Sequence, residues 1–151
     1  MLLKTHFAFA ILAILIFVQH LNSKIVFVVT VLVATALPDL DTMNSESGKY
    51  MIFRPLQFFV KHRGVIHSLT TAFVLSAILA FFWPVVSFGF FLGYSVHLIC
   101  DSFTKEGIQP FWPFKAKTHG PISTGGRVEE SIFFSLIFIN MVFFFIIFVI
   151  G

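Results

Sequence analysis

Residues 132–150 are apolar throughout except for Ser135 and Asn140. As a helix at ~1.5 Å per residue, such a run crosses a hydrocarbon core of roughly 30 Å. In lipid the backbone polar groups must be satisfied internally, so this segment commits the chain to helix and to a bilayer. Of 151 residues, 58% are hydrophobic, 23 are Phe and only 11% are charged, against roughly 25% charged in soluble domains. The expected fold is an all-α integral membrane protein, a single membrane-embedded domain over residues 1–151.

Five apolar segments, residues 7–21, 25–37, 65–83, 85–100 and 132–150, predict about five transmembrane helices. The apolar cores of the first two reach only roughly 20 Å, short enough for a hairpin that does not fully cross. In either case the chain is back on its starting side before Pro38. The first segment, with Lys4 as a basic flank, resembles a signal peptide. Its small-residue site Ala34-Thr35-Ala36, however, lies beyond the polar break from Gln19 to Lys24, so a retained helix is expected.

This parity sorts the charges. Of the ten Lys and Arg residues only Lys24 falls on the far side. The N-terminus and the connections 38–64 and 101–131 are therefore expected in the cytoplasm of a bacterial-type inner membrane, with the C-terminus outside. All seven acids share that face, and of six histidines only His20 does not. Acids contribute little to orientation, so their segregation points to chemistry. The net charge of +3 and pI near 9.3 are explained by topology, and no nucleic-acid partner is expected. Cys100 is the only cysteine, which rules out an internal disulfide and a Cys-rich metal site but leaves N and O ligation open.

Four short stretches carry the chemistry. In HLICD, His97 and Asp101 sit one turn apart on one helix face, as two ligands of one ion would, though a helix end with a snorkelling charge accounts for them equally. In PDLD, Pro38 ends the second helix and is expected to leave Asp39 and Asp41 on an extended stretch, pointing opposite ways toward different ions or shells, with a helix-stop turn favoured by Asp as the alternative. In KHRGVIHS, Lys61 and Arg63 suit a cytoplasmic boundary. His67 lies inside the apolar run, where an unpaired imidazole is costly, and Gly64 lets His62 turn toward the same centre. His6 opens the first helix. The spacings from His6 to Asp39 and from His67 to Asp101 are nearly equal, a weak internal repeat of two hairpins.

Three further stretches are weaker. Glu129 and Glu130 begin the last helix roughly 100° apart about its axis, so one at most faces a shared centre, and Glu130 is taken as that one. GPISTGGR has the glycines of a phosphate-cradling loop without the Lys-Ser/Thr of a P-loop. GKYMIFRPLQFFVKH and QPFWPFKAK read as pieces lying in the headgroup layer, the second anchored by Trp112.

Assembled, Thr5-His6, Pro38-Asp39-x-Asp41, His62-Arg63-Gly64-x-x-His67-Ser68 and Gly93-x-x-x-His97-x-x-x-Asp101, the last followed by Thr104 and Gly107, resemble the LexA-regulated, membrane-bound metal-dependent hydrolases. That family looks distantly related to zinc-dependent phospholipases C. Ile66 departs from it, standing where Thr is usual.

The resemblance implies that His6, Asp39, Asp41, His62, His67, His97 and Asp101 surround one or more divalent ions, zinc being the first choice. It further implies hydrolysis of a phosphoester or lipid headgroup at the cytoplasmic face. Arg63 would steady developing charge and Glu130 would shuttle a proton. The partners expected are membrane lipids and a small-molecule or lipid substrate. The competing readings are a metal or proton transporter and a non-catalytic metal-binding scaffold.

Overall fold

A computed structural model describes residues 1–41, 48–51, 54 and 64–150. Among these it contains five α-helices: α1 (Leu3–Phe17), α2 (Lys24–Ala36), α3 (Leu69–Phe82), α4 (Pro84–Ser102) and α5 (Arg127–Phe145). Short 3-10 turns follow α1 (Val18–His20) and α2 (Pro38–Asp41), and α5 continues into a π-turn (Ile146–Ile150). No strand occurs among the described residues, only two isolated bridges in the connection after α4.

Three helical stretches are long and apolar enough to cross a membrane: Leu3–His20, Pro84–Ser102 and Arg127–Ile150. The expected shortness therefore holds for the second segment, not for the first, and extends to the third. The first is lengthened by its 3-10 turn, while α2, with 13 residues, and α3, with 14, are the short helices. At the helical rise these two reach about 20 Å.

The third segment loses length at its start. Ser68 caps α3 by accepting from Thr71 N at 3.2 Å and donates its hydroxyl to the Val65 carbonyl at 2.8 Å, so residues 65–68 form a turn instead of a first helical turn. Pro84 ends α3, because the residue before a proline is disfavoured in the helical region and Trp83 sits at φ −142°. Pro84 then serves as the first residue of α4, a position where its missing N–H costs nothing.

The tightest contact is between the parallel helices α2 and α4. A Cβ on Gly93 would lie 2.3 Å from the Val31 carbonyl oxygen, and one on Gly89 would lie 3.2 Å from Thr30 Cβ and 3.3 Å from the Phe27 carbonyl oxygen. The pair forms the Gly-x-x-x-Gly spacing that lets membrane helices approach closely. The register advances four residues at a time on both helices: Phe27 faces Gly89, Val31 faces Gly93, and the Thr35 carbonyl meets His97 Nδ1 at 2.8 Å. The same offset relates Asp39 to Asp101, the two hairpin-closing acids of the weak repeat.

Apolar clusters lie on either side of this ladder. Ala10, Ile14, Val18, Phe27 and Val31 join α1 to α2, and Ala34, Ala72, Tyr94, Leu98 and Ile108 join α2, α3 and α4. Helix α5 packs on α1, where Asn140 Nδ2 donates to the Ala8 carbonyl at 2.9 Å. The connection 103–126 folds back on itself through the Thr104–Ile122 and Ile108–Thr118 bridges. Glycine is required at its crossing points: Gly107 has φ 63° and lacks room for a Cβ beside Thr118, and a Cβ on Gly120 would lie 2.0 Å from the Phe103 carbonyl oxygen. This leaves Phe111, Trp112 and Phe114 exposed, the surface expected of a headgroup-layer piece. Most of the other piece, in residues 52–53 and 55–62, lies outside the described residues.

The alternation of helix directions brings the N-termini of α1, α3 and α5 and the C-termini of α2 and α4 to one end. That end carries the candidate site.

Candidate metal centre

His97 lies five residues before the end of α4 and faces α2. Its Nδ1 sits 2.8 Å from the Thr35 carbonyl, one of the last carbonyls of α2 that have no partner within their own helix. A carbonyl only accepts, so Nδ1 carries the proton and Nε2 presents its lone pair. Asp101 follows one turn later on the same face, with its Oδ2 3.7 Å from His97 Nε2.

His67 is brought in by the turn ahead of α3. Tyr94 donates its hydroxyl to the Ile66 carbonyl at 2.6 Å, Leu69 N donates to the Pro110 carbonyl at 2.8 Å, and the Ile66 side chain packs on the Ala34–Tyr94 cluster. An apolar residue at position 66 is thus used as packing. His67 Nδ1 meets Asp41 Oδ2 at 3.0 Å, which turns its Nε2 toward Asp101 Oδ2, 3.8 Å away.

The turn Pro38–Asp41 is a 3-10 turn, not the extended stretch expected after Pro38. Proline's fixed φ suits a helical turn as well as an extended one, and Leu40 N closes this turn on the Leu37 carbonyl at 3.1 Å. The two acids still diverge. Asp39 Oδ1 lies 3.7 Å from His97 Nε2, and Asp41 stands behind His67. Burial raises the Asp39 carboxyl above its ordinary value, with His6 acting against the shift.

His6 enters from the first turns of α1. Its ring stacks on His97 with centroids 4.0 Å apart and planes 10° from parallel, and its Nε2 lies 3.3 Å from Asp101 Oδ1. The Met1 amino group also donates to Asp101 Oδ1.

His6, His67 and His97 are fully buried. Among the described residues neither ring nitrogen of His6, nor His97 Nε2, makes a hydrogen bond. Orphaned buried polar atoms cost about 1–3 kcal/mol each, so several converging in one place mark a site built for a ligand. Two donor groups emerge, His6–Asp39–His97 and His67–His97–Asp101, with their ligand atoms within 4.8 Å of one another. Donors around a tetrahedral ion at about 2.0–2.2 Å stand roughly 3.3–3.6 Å apart. The pair distances of 3.3, 3.7, 3.7 and 3.8 Å in this cluster lie within about 0.2 Å of that spacing and are mostly too long for hydrogen bonds. The residues fit a divalent ion held by N and O donors. His97 has one nitrogen to give, so both groups draw on the same ligand and describe one shared centre.

The structure thus brings together His6, Asp39, His67, His97 and Asp101, and sets Asp41 behind His67. His62 and Arg63 lie outside the described residues. Glu130 does not join the cluster: it is exposed, and Glu129 is the member of the pair that turns inward. Glu129 Oε1 accepts from Leu2 N at 2.6 Å and Thr5 Oγ1 at 2.8 Å, and Oε2 accepts from Gly125 N at 2.7 Å. This carboxylate ties the start of α1 to the start of α5 and so holds His6 in place. It also answers the glycine-rich loop, because the Gly125 amide is satisfied by an internal acid. The sequence held one clue to the inward residue, since Glu129 is third in α5, the position from which an acid reaches back to helix-start amides.

A profile of the YdjM inner membrane protein family spans residues 1–151 of the chain. The inner membrane protein YdjM of Escherichia coli (strain K12) is 32% identical over 115 residues, covering 66% of this chain and 57% of that protein. The inner membrane protein YdjM of Shigella flexneri matches to the same extent. The aligned region covers little more than half the length of these curated relatives. No solved structure matches the chain significantly. The chain belongs to the YdjM inner membrane protein family.

Proposed function

We propose that this member of the YdjM family is a membrane-bound, metal-dependent hydrolase acting on a phosphoester or lipid headgroup at the cytoplasmic face of the inner membrane. The observation that carries the reading is the convergence of buried, unpartnered imidazole nitrogens of His6 and His97 on the Asp39 and Asp101 carboxylates. The motif resemblance to metal-dependent hydrolases adds the reaction class.

His6, His67, His97 and Asp101 would hold a divalent ion, zinc by the chemistry of the donor set, with Asp39 adjoining. When bound, such an ion supplies Lewis-acid polarisation of a phosphoryl or carbonyl oxygen and acidification of water. The chain's own contribution is orientation and charge. The Thr35 carbonyl and Asp41 fix the proton on Nδ1 of His97 and His67, which turns both Nε2 atoms toward the Asp101 carboxylate. Asp101 and Asp39 offset cationic charge in a buried setting. The Asp39 side chain is the more open of the two, 14% exposed against 2% for Asp101. Arg63, next to His62 in sequence, would pair with an anionic headgroup.

The test is turnover of phospholipid and isoprenoid-phosphate substrates by detergent-purified protein, before and after chelation. Turnover that is lost on chelation and restored by zinc supports the reading. Stoichiometric metal with no turnover of either class supports a second reading, a non-catalytic metal-stabilised fold, which the full burial of the three histidines favours.

A further inference from the structure

Between α1 and α4 runs a cavity of about 380 Å³ whose lining is apolar. Helix α1 contributes Phe9, Leu12, Ala13 and Ile16, and α4 with the residue that caps its end contributes Val96, Ile99, Cys100 and Phe103. Each set follows the i, i+3, i+4, i+7 spacing of a single helix stripe, so two parallel walls face each other over two turns, roughly 10 Å. Ala13 and Cys100 are the small residues of these walls and are nearly buried, whereas Ile16 and Ile99 on the rims are 46% and 52% exposed. Met1 and Ile122 close one end and Ile132 flanks the groove from α5.

Two features set this groove apart from an ordinary seam between helices. Seven of its eight wall residues, all but Phe103, belong to the candidate membrane spans Leu3–His20 and Pro84–Ser102. Its closed end is also continuous with the metal centre: Cys100 precedes Asp101, Phe9 stands three residues from His6, and Met1, which caps the groove, bonds Asp101 through its amino group.

Size points to the occupant. Spread over roughly 10 Å, the enclosed space has a mean cross-section of about 40 Å², enough for an extended hydrocarbon chain, and its volume falls in the range of small-molecule sites, about 300–1,000 Å³.

We propose that the α1–α4 groove binds one acyl chain of a membrane phospholipid and presents that lipid's headgroup to the His6–Asp101 end of the cluster. The inference rests on the hydrolase reading for what happens to the headgroup, and it makes the substrate a lipid taken from within the bilayer.

The test uses vesicles containing a trace of phosphatidylglycerol with a diazirine on one acyl chain. After irradiation, adducts are mapped by mass spectrometry, and metal content is measured on the same preparations. Adducts are expected to concentrate on Leu12, Ile16, Ile99 and Phe103. Ile99→Trp and Ile16→Trp, both at exposed rim positions that leave the core intact, should each reduce these adducts several-fold with metal content unchanged. Phe138→Trp on the exposed face of α5 should leave them as they are.

Adducts spread evenly over α5 residues such as Phe134 and Phe138, or undiminished in both rim variants, overturn the proposal even if metal is bound and substrate is turned over. Groove-specific adducts on a protein that carries no metal sustain lipid binding and instead remove the hydrolase reading.

Discussion

Replacing Gly93 with alanine tests the link between helix packing and the site. The added Cβ would lie 2.3 Å from the Val31 carbonyl oxygen, where ordinary C···O contacts are about 3.3–3.6 Å. Both partners are helix backbone, so α2 must retreat from α4 by roughly 1 Å. One turn further along the same register the Thr35 carbonyl stands 2.8 Å from His97 Nδ1. The same retreat stretches that contact to roughly 3.8 Å, past any hydrogen bond. Overpacking of this kind costs about 1–3 kcal/mol, and His97 loses the partner that fixes its tautomer. Gly93→Ala should therefore lower the unfolding temperature in detergent and reduce bound metal together. Gly89→Ala is the control: its tightest Cβ contacts are 3.2 and 3.3 Å, and it lies two turns from His97. It should cost less stability and leave metal content unchanged. If Gly93→Ala melts like the parent and keeps its metal, or if Gly89→Ala loses as much metal, the α2–α4 register does not position the site as argued.

Further outcomes follow from single contacts. Asp41→Asn weakens the acceptor behind His67 and should lower metal affinity about 10–100-fold in a competition titration, the usual effect of removing a ligand's orienting partner. Glu129→Gln replaces one carboxylate oxygen with an NH2 that cannot accept, so at least one of the three hydrogen bonds joining α1 to α5 is lost, and it should cost about 1–3 kcal/mol by denaturant titration, whereas Glu130→Gln, on the exposed face, should match the parent. Ser68→Ala deletes the cap of α3 and should cost about 0.5–2 kcal/mol, with His67-dependent metal binding weakened alongside.

The apolar helices and the end at which the acids and imidazoles gather were legible in the sequence because lipid imposes a simple rule on long apolar runs. The one-turn spacing of His97 and Asp101 also carried through, since local helix geometry does not depend on the rest of the fold. Three things were not legible. The 3-10 turn at Pro38–Asp41 escaped because proline's φ is shared by helical and extended backbone. The short start of α3 escaped because residues 65–67 read as a continuous apolar run with one histidine. In the folded chain Tyr94 and Pro110 draw that stretch out of the helix through contacts distant in sequence. The inward turn of Glu129 instead of Glu130 is set by donors at Leu2 and Thr5, on a helix at the other end of the chain. Periodicity within α5 could not reveal them.

The central claim is that the buried imidazoles and carboxylates form a metal centre. It is tested most directly by elemental analysis of detergent-purified protein beside a His97→Ala variant of verified fold. A stoichiometric divalent ion is predicted in the parent and its loss in the variant, since both donor groups share His97 Nε2. A parent without divalent metal after reconstitution with zinc, or a variant that retains the ion in full, would contradict the account.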